Sequence, residues 1–239
     1  MAKTILITGA SSGIGRAIAI ACSKTGAQVV LTARNIERLR ETFALLEGEG
    51  HLVIPADLTD STQRQALAEQ MPVLNGVVHC AGIGSRVLCK MLEADDVQHV
   101  MEANFNAPVL LQAALLQEKK IAAGSSIVFI ASAAATMPSV GNAIYSASKA
   151  ALISYAKCLS LELAARKIRV NCISPAMVWT DLALVGATEE QLQEAEQAYP
   201  LKRYAQPEDI APMAVYLLGE EALWVTGSNF ELTGGALTL

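Results

Sequence analysis

At 239 residues the chain is long enough for one large α/β domain. Its makeup, 52% apolar, 17% charged and 5% aromatic, suits the aliphatic core of a parallel sheet. A net charge of −5 with no basic run argues against nucleic acid as a partner. No uncharged apolar run reaches the ~18 residues of a membrane span, and MAKTILITGA enters a strand directly, so no membrane contact and a cytoplasmic location are expected.

The first strand is Lys3-Thr-Ile-Leu-Ile-Thr8, and it runs into Gly9-Ala-Ser-Ser-Gly-Ile-Gly15 and a helix that stops before Gly26. Such a turn brings backbone N–H groups and a helix N-terminus up to an anion. Its spacing is G-x-x-x-G-x-G, not the usual G-x-G-x-x-G. The second strand, Gln28 to Ala33, is followed by Arg34 and Asn35 and a charged amphipathic helix to about Glu47. In a dinucleotide fold the tip of this strand meets the adenosine ribose. An acid there would bind a free 2′-hydroxyl, whereas Ala33 followed by Arg34 and Asn35 suits a 2′-phosphate and so NADP(H). Leu52 to Asp57 reads as the third strand, and Asp57 can cap a helix starting near Ser61. The fourth strand, Gly76 to Cys80, holds His79 as a core or strand-edge residue.

Cys22, Cys80, Cys89, Cys158 and Cys172 are odd in number and lack metal-knuckle spacing. Free thiols and no metal site are expected. From Glu93 to about Lys120 the pattern is one long amphipathic helix, with Asn104 awkwardly inside it, a place where a local bulge is expected. The fifth strand, Ile127 to Ala131, ends at Ser132, and the loop from Ala133 to Ile144 should form an apolar substrate wall through Met137 and Pro138. A helix from about Tyr145 to Arg166 follows. Its Tyr145 and Lys149, at i and i+4, share one face, so the ammonium should pull the phenol pKa down toward a working range. With Ser132 they form a trio able to polarise a carbonyl and protonate it. Lys167 to Ser174 is the sixth strand, Pro207 opens the last helix, and Asn229 to Leu232 is the seventh strand. Strands alternating with helices predict a single doubly wound, Rossmann-like sheet of seven parallel strands with helices on both faces.

Taken in order, T-G-A-S-S-G-I-G at 8–15, Asp57-Leu58, Ala81-Gly82, Asn104, Ser132, Tyr145-x-x-x-Lys149 and Pro175 to Thr180 resemble the short-chain dehydrogenases/reductases, from residue 3 to about 235. The likeness is greatest to members similar to 3-oxoacyl-acyl-carrier-protein reductases. It implies an NADP(H)-dependent carbonyl reductase acting on a 3-oxoacyl thioester or related ketone. It also implies cofactor contacts at Gly9, Ser11, Ser12, Gly13, Ile14, Gly15, Asp57, Leu58, Cys80, Ala81, Gly82, Pro175, Val178 and Thr180, with Tyr145 and Lys149 also touching the ribose. By the same resemblance Asn104 holds a water that feeds protons to Lys149, and residues 181–204 are a substrate lid. Cys80 stands where the family has Asn, and less local rigidity is expected there. A scaffold protein without turnover would typically lack one of Asn104, Ser132, Tyr145 and Lys149, and all four are present. The small-residue face of the Tyr145 helix (Ala147, Ala150, Ala151, Ser154) and the chain end beyond the seventh strand suggest subunit packing, which by resemblance means a homotetramer.

Overall fold

The computed structural model describes residues 3–185 and 187–236 and centres on a seven-stranded parallel sheet. Its strands are β1 (Thr4–Thr8), β2 (Gln28–Thr32), β3 (Leu52–Val53), β4 (Leu74–His79), β5 (Ile121–Ile130), β6 (Arg169–Pro175) and β7 (Asn229–Leu232). The helices are α1 (Gly13–Lys24), α2 (Ile36–Phe43), α3 (Ser61–Gln70), α4 (Ala94–Met101), α5 (Ala107–Gln117), α6 (Ala143–Leu163), α7 (Glu189–Glu196) and α8 (Pro207–Leu218).

Side chains along each strand alternate between two cores. Leu6, Val77, Ile127 and Phe129 pack with α3, α5 and α6, while Ile5, Ile7, Val78, Val128 and Ile130 pack with α1 and α8. Both faces being covered, these strands read as continuous apolar runs. Each such aliphatic residue taken from water contributes roughly 1.5–3 kcal/mol. The spatial order β3-β2-β1-β4-β5-β6-β7 reverses direction between β1 and β4. A doubly wound sheet opens a crevice at that point, outside the carboxyl ends of its strands. Residues following each of β1 to β6 border it.

Two expectations need correction. The β3 ladder is only two residues long because Pro55 has no N–H to give, although Ile54 and Ala56 still donate to Leu31 and Ala33 at 3.0 and 3.1 Å. Asp60, not Asp57, caps α3, its Oδ1 accepting from the N–H groups of Thr62 and Gln63. The helix expected from 93 to 120 is interrupted where the bulge was expected, as α4, a π-helical turn at Glu102–Asn106 and α5. Pro108 sits four residues after Asn104 and has no N–H to return to its carbonyl, so the bulge falls there. All five cysteines are free. Among the described residues no helix is long and apolar enough to cross a membrane. The chain end expected to pack between subunits includes residues 237–239, which lie outside the described residues, as does Gly186 of the expected lid.

Candidate active site

The crevice is a cleft of about 930 Å³. Its floor is the glycine turn after β1. Gly9 has φ +65°, and a Cβ there would come within 2.9 Å of the Ala81 backbone at the tip of β4. A Cβ at Gly15 would collide with the Gly9 carbonyl oxygen, and one at Gly13 would reach 3.0 Å from Thr180 Cγ2. With Ser11, Ser12 and Ile14 also bordering the cleft, this bare backbone is a cradle that fits a pyrophosphate. Thr8 Oγ1 accepts from the N–H groups of Cys80 and Ala81 at 3.0 and 3.1 Å. That tether joins β1 to the tip of β4. Burial pushes the Cys80 thiol up to about 12, with Lys149 pulling the other way, so it behaves as a neutral apolar group.

At the tips of β2 and β3, Ala33, Arg34, Asn35, Asp57 and Leu58 all border the cleft. Asn35 Oδ1 is committed to capping α2 through the Arg38 N–H at 2.9 Å, which leaves its amide nitrogen as the donor toward a ligand. Asp57 Oδ1 accepts from both the N–H and the hydroxyl of Thr59, at 3.0 and 2.7 Å. Those two bonds, then the nearby Arg34, hold its carboxyl below the usual range, so its free oxygen is the one available to a ligand.

The structure brings Ser132, Tyr145 and Lys149 to the same end of the cleft. Ser132, at the end of β5, caps a short 3₁₀ turn by accepting the Ala134 N–H at 3.1 Å, which fixes its hydroxyl. Lys149 is 5% exposed, donates to the Ile130 carbonyl at 2.9 Å, and lies 5.9 Å from the centroid of the Tyr145 ring. Here the reading of the pair needs correction. Burial raises the Tyr145 phenol above its ordinary value, against a downward pull from Ser132. Burial also lowers Lys149 to about 8. Desolvation is the leading cause of both shifts, and the ammonium is turned to the Ile130 carbonyl instead of acting on the phenol.

Asn104 is fully buried in the π turn, and its side chain is a clamp. Oδ1 accepts from the Ile83 N–H at 2.8 Å, while Nδ2 donates to the Ile83 carbonyl at 3.0 Å and to Ser148 Oγ at 3.2 Å. Gly82 threads between: a Cβ there would be 3.0 Å from Asn104 Oδ1 and 3.4 Å from Lys149 Nζ. The Asn104 side chain therefore holds the loop after β4 against α6. Its backbone carbonyl lies four residues ahead of Pro108, which has no N–H to offer it.

Pro175, Val178 and Thr180 form the roof. Residues 177–179 are pinned by Ala205, which donates to the Met177 carbonyl at 3.1 Å and accepts the Trp179 N–H at 2.9 Å. Beyond them, Leu182 and Val185 pack over Gly84, at 3.2 and 3.6 Å from its would-be Cβ. Leu192, Tyr199 and Tyr204 make a separate small core with Met177 and Trp179. Met137 and Pro138, expected in the substrate wall, do not border the cleft. Ile83, Met177, Leu182 and Val185 supply its apolar lining instead. The loop does reach this wall through backbone, the Val87 N–H donating to Gly141 at 2.9 Å. Sequence reasoning missed Arg38 and Asp181, which also border the cleft. The only hint was that Arg38 lies one turn after Arg34.

A family model described as enoyl-(acyl carrier protein) reductase matches residues 9–236. The 3-oxoacyl-acyl-carrier-protein reductase FabG of Rickettsia felis is 32% identical over 235 residues, covering 98% of this chain and 97% of the relative. An L-xylulose reductase of Caenorhabditis elegans is 30% identical over 241 residues, covering 98% and 95%. Among solved structures, an actinorhodin polyketide ketoreductase with NADPH superposes with a TM-score of 0.90 at 30% identity, covering 98% of this chain and 97% of that one.

Proposed function

The chain belongs to the short-chain dehydrogenase/reductase family of oxidoreductases, and from that premise we propose that it is an NADPH-dependent carbonyl reductase whose substrate is a 3-oxoacyl thioester or related ketone. The observation that carries this reading is the convergence of Ser132, Tyr145 and Lys149 on a cleft floored by a glycine cradle. Val178 and Thr180 would hold a nicotinamide and the glycine cradle its pyrophosphate, and the bound group would supply hydride for a carbonyl carbon.

The chain's own groups handle the oxygen and its proton. The Ser132 hydroxyl, oriented by the Ala134 N–H, donates a hydrogen bond to the carbonyl oxygen. Tyr145, protonated because burial keeps its pKa high, gives the same oxygen its proton as charge develops. Lys149, with a pKa near 8, re-protonates the phenolate and draws its own proton from water at the Asn104 carbonyl. The apolar lining of Ile83, Met177, Leu182 and Val185 suits an acyl or alkyl chain beside the reacting carbonyl.

NADPH oxidation with an acetoacetyl thioester tests the proposal. Turnover that Tyr145→Phe abolishes supports it, and no turnover with any 3-oxoacyl thioester removes that substrate class. A crotonoyl thioester in the same assay separates carbonyl from enoyl reduction, since Ser132 and Tyr145 are arranged as a pair for one oxygen. The relative named as an L-xylulose reductase makes small polyol ketones the next class to screen.

A further inference from the structure

The Arg38 Nη2 meets Asp181 Oδ2 at 2.7 Å, joining residues 143 positions apart on opposite walls of the cleft. Each partner is anchored beside the glycine turn. Arg16 Nη2 donates to the Ser11 carbonyl at 2.7 Å and reaches the Arg38 carbonyl at 3.4 Å, which ties the Arg38 backbone to that turn. The Asn35 cap holds the Arg38 N–H, so Arg38 stands one helical turn beyond Arg34. Across the cleft, Thr180 precedes Asp181 and presses its Cγ2 toward Gly13. A guanidinium spanning from α2 to Asp181 therefore crosses the mouth of the cradle, on the side where Arg34 stands.

We propose that Arg38 is a second ligand for the 2′-phosphate of NADP(H), and that Asp181 is the anion it gives up when that phosphate binds. This rests on the NADP(H) reading above. A guanidinium offers a planar fork of donors that suits a carboxylate and a phosphate equally well, so the two compete for it. A carboxylate left next to a bound phosphate also repels it. Asp181 thus lowers affinity for NADP(H) selectively, because NAD(H) brings no phosphate to contest Arg38. The exchange has a second consequence. Asp181 opens the segment read as the substrate lid, so occupation of the phosphate site releases the one ion pair that ties this segment to α2 among the described residues. Both side chains are partly exposed, at 43% and 70%, so solvent and salt keep the coupling modest.

Equilibrium titration of the full-length protein with NADP⁺ and with NAD⁺ tests this without recourse to turnover. Asp181→Asn should tighten NADP⁺ by about two- to fivefold and leave NAD⁺ unchanged. Arg38→Gln should weaken NADP⁺ by about three- to tenfold, with little effect on NAD⁺. In the Arg38→Gln background the Asp181→Asn gain should shrink, since the competition has lost its object. The proposal is overturned if Asp181→Asn shifts both cofactors alike or neither, or if Arg38→Gln spares NADP⁺. Arg34→Ala separates the two levels of failure. If it weakens NADP⁺ selectively while Arg38→Gln does not, only this inference falls; if both variants bind NADP⁺ as the wild type does, the NADP(H) reading falls as well.

Discussion

Replacing Lys149 with methionine should stop turnover and, at the same time, make the protein harder to unfold at pH 7. The ammonium is 5% exposed, and burial lowers its pKa from 10.5 to about 8. At about 1.4 kcal/mol per pKa unit, holding that charge inside costs the folded state roughly 3 kcal/mol below pH 8. Methionine keeps most of the volume and has no charge. Against this gain, the Ile130 carbonyl loses its donor at 2.9 Å, a loss of roughly 1–2 kcal/mol. The net expectation is a stabilisation of about 1–2 kcal/mol. Its pH dependence follows from proton counting. Between pH 8 and 10.5 the unfolded lysine keeps a proton that the folded one has released, so wild-type stability rises with pH across that window. The advantage of K149M is therefore largest below pH 8 and closes toward pH 10.5. Urea melts at pH 7 and pH 10 measure it, with kcat expected to drop by at least about a hundredfold and any residual rate to shift to higher pH. A variant less stable than wild type by the same margin at both pH values would refute the burial account. Near-full activity with an unchanged pH profile would refute the catalytic one.

Ala33→Asp should reverse cofactor choice, by repelling the 2′-phosphate and offering the ribose a new acceptor. The wild-type preference for NADPH in kcat/KM should be roughly ten- to a hundredfold, and equal use of NADH, unmoved by Arg34→Ala, would count against the assignment. His79 stacks on Phe129 at 4.6 Å, meets Gln112 Oε1 at 3.0 Å, and is lowered by burial from 6.5 to about 4. The stability its neutral ring contributes is complete above pH 6.5 and lost as pH falls toward 4, so His79→Leu should flatten the acid limb of the unfolding free energy from urea melts by up to roughly 3 kcal/mol. Leu161 on α6 is 80% exposed and Trp224 fully so, which fits the small-residue face of α6 in predicting a homotetramer. Light scattering that reports a monomer at micromolar concentration would refute it, and Leu161→Glu should shift a tetramer toward smaller species.

What could be read from the chain alone was whatever one element carries within itself. β1, β4 and β5 are apolar on both faces, so their runs stand out without any knowledge of neighbours. Tyr145 and Lys149 share a face because they lie four residues apart on α6. The break at Asn104 was legible as an amide inside an apolar helix, and Pro108 supplies the covalent reason for it. Contacts between elements were a different matter. Nothing near Asp181 in sequence points to Arg38, and only the fold brings the two within 2.7 Å. Thr8 reads as the last residue of a strand, yet its hydroxyl accepts from two N–H groups at the tip of β4.

The sign of the Tyr145 shift could not be read for a related reason. Spacing on a helix says that a cation is near a phenol, but the shift is a difference between that attraction and the desolvation of both groups. With the ammonium 5.9 Å from the ring centroid and turned to Ile130, burial is the leading cause of each shift. The two shifts then oppose each other in a useful sense. A phenol held above its ordinary value remains a proton donor across neutral pH, while a lysine lowered to about 8 can release and regain a proton in the same range. The division of labour between donor and relay thus comes from the depth of the cleft, with spacing along α6 needed only to put both groups in it.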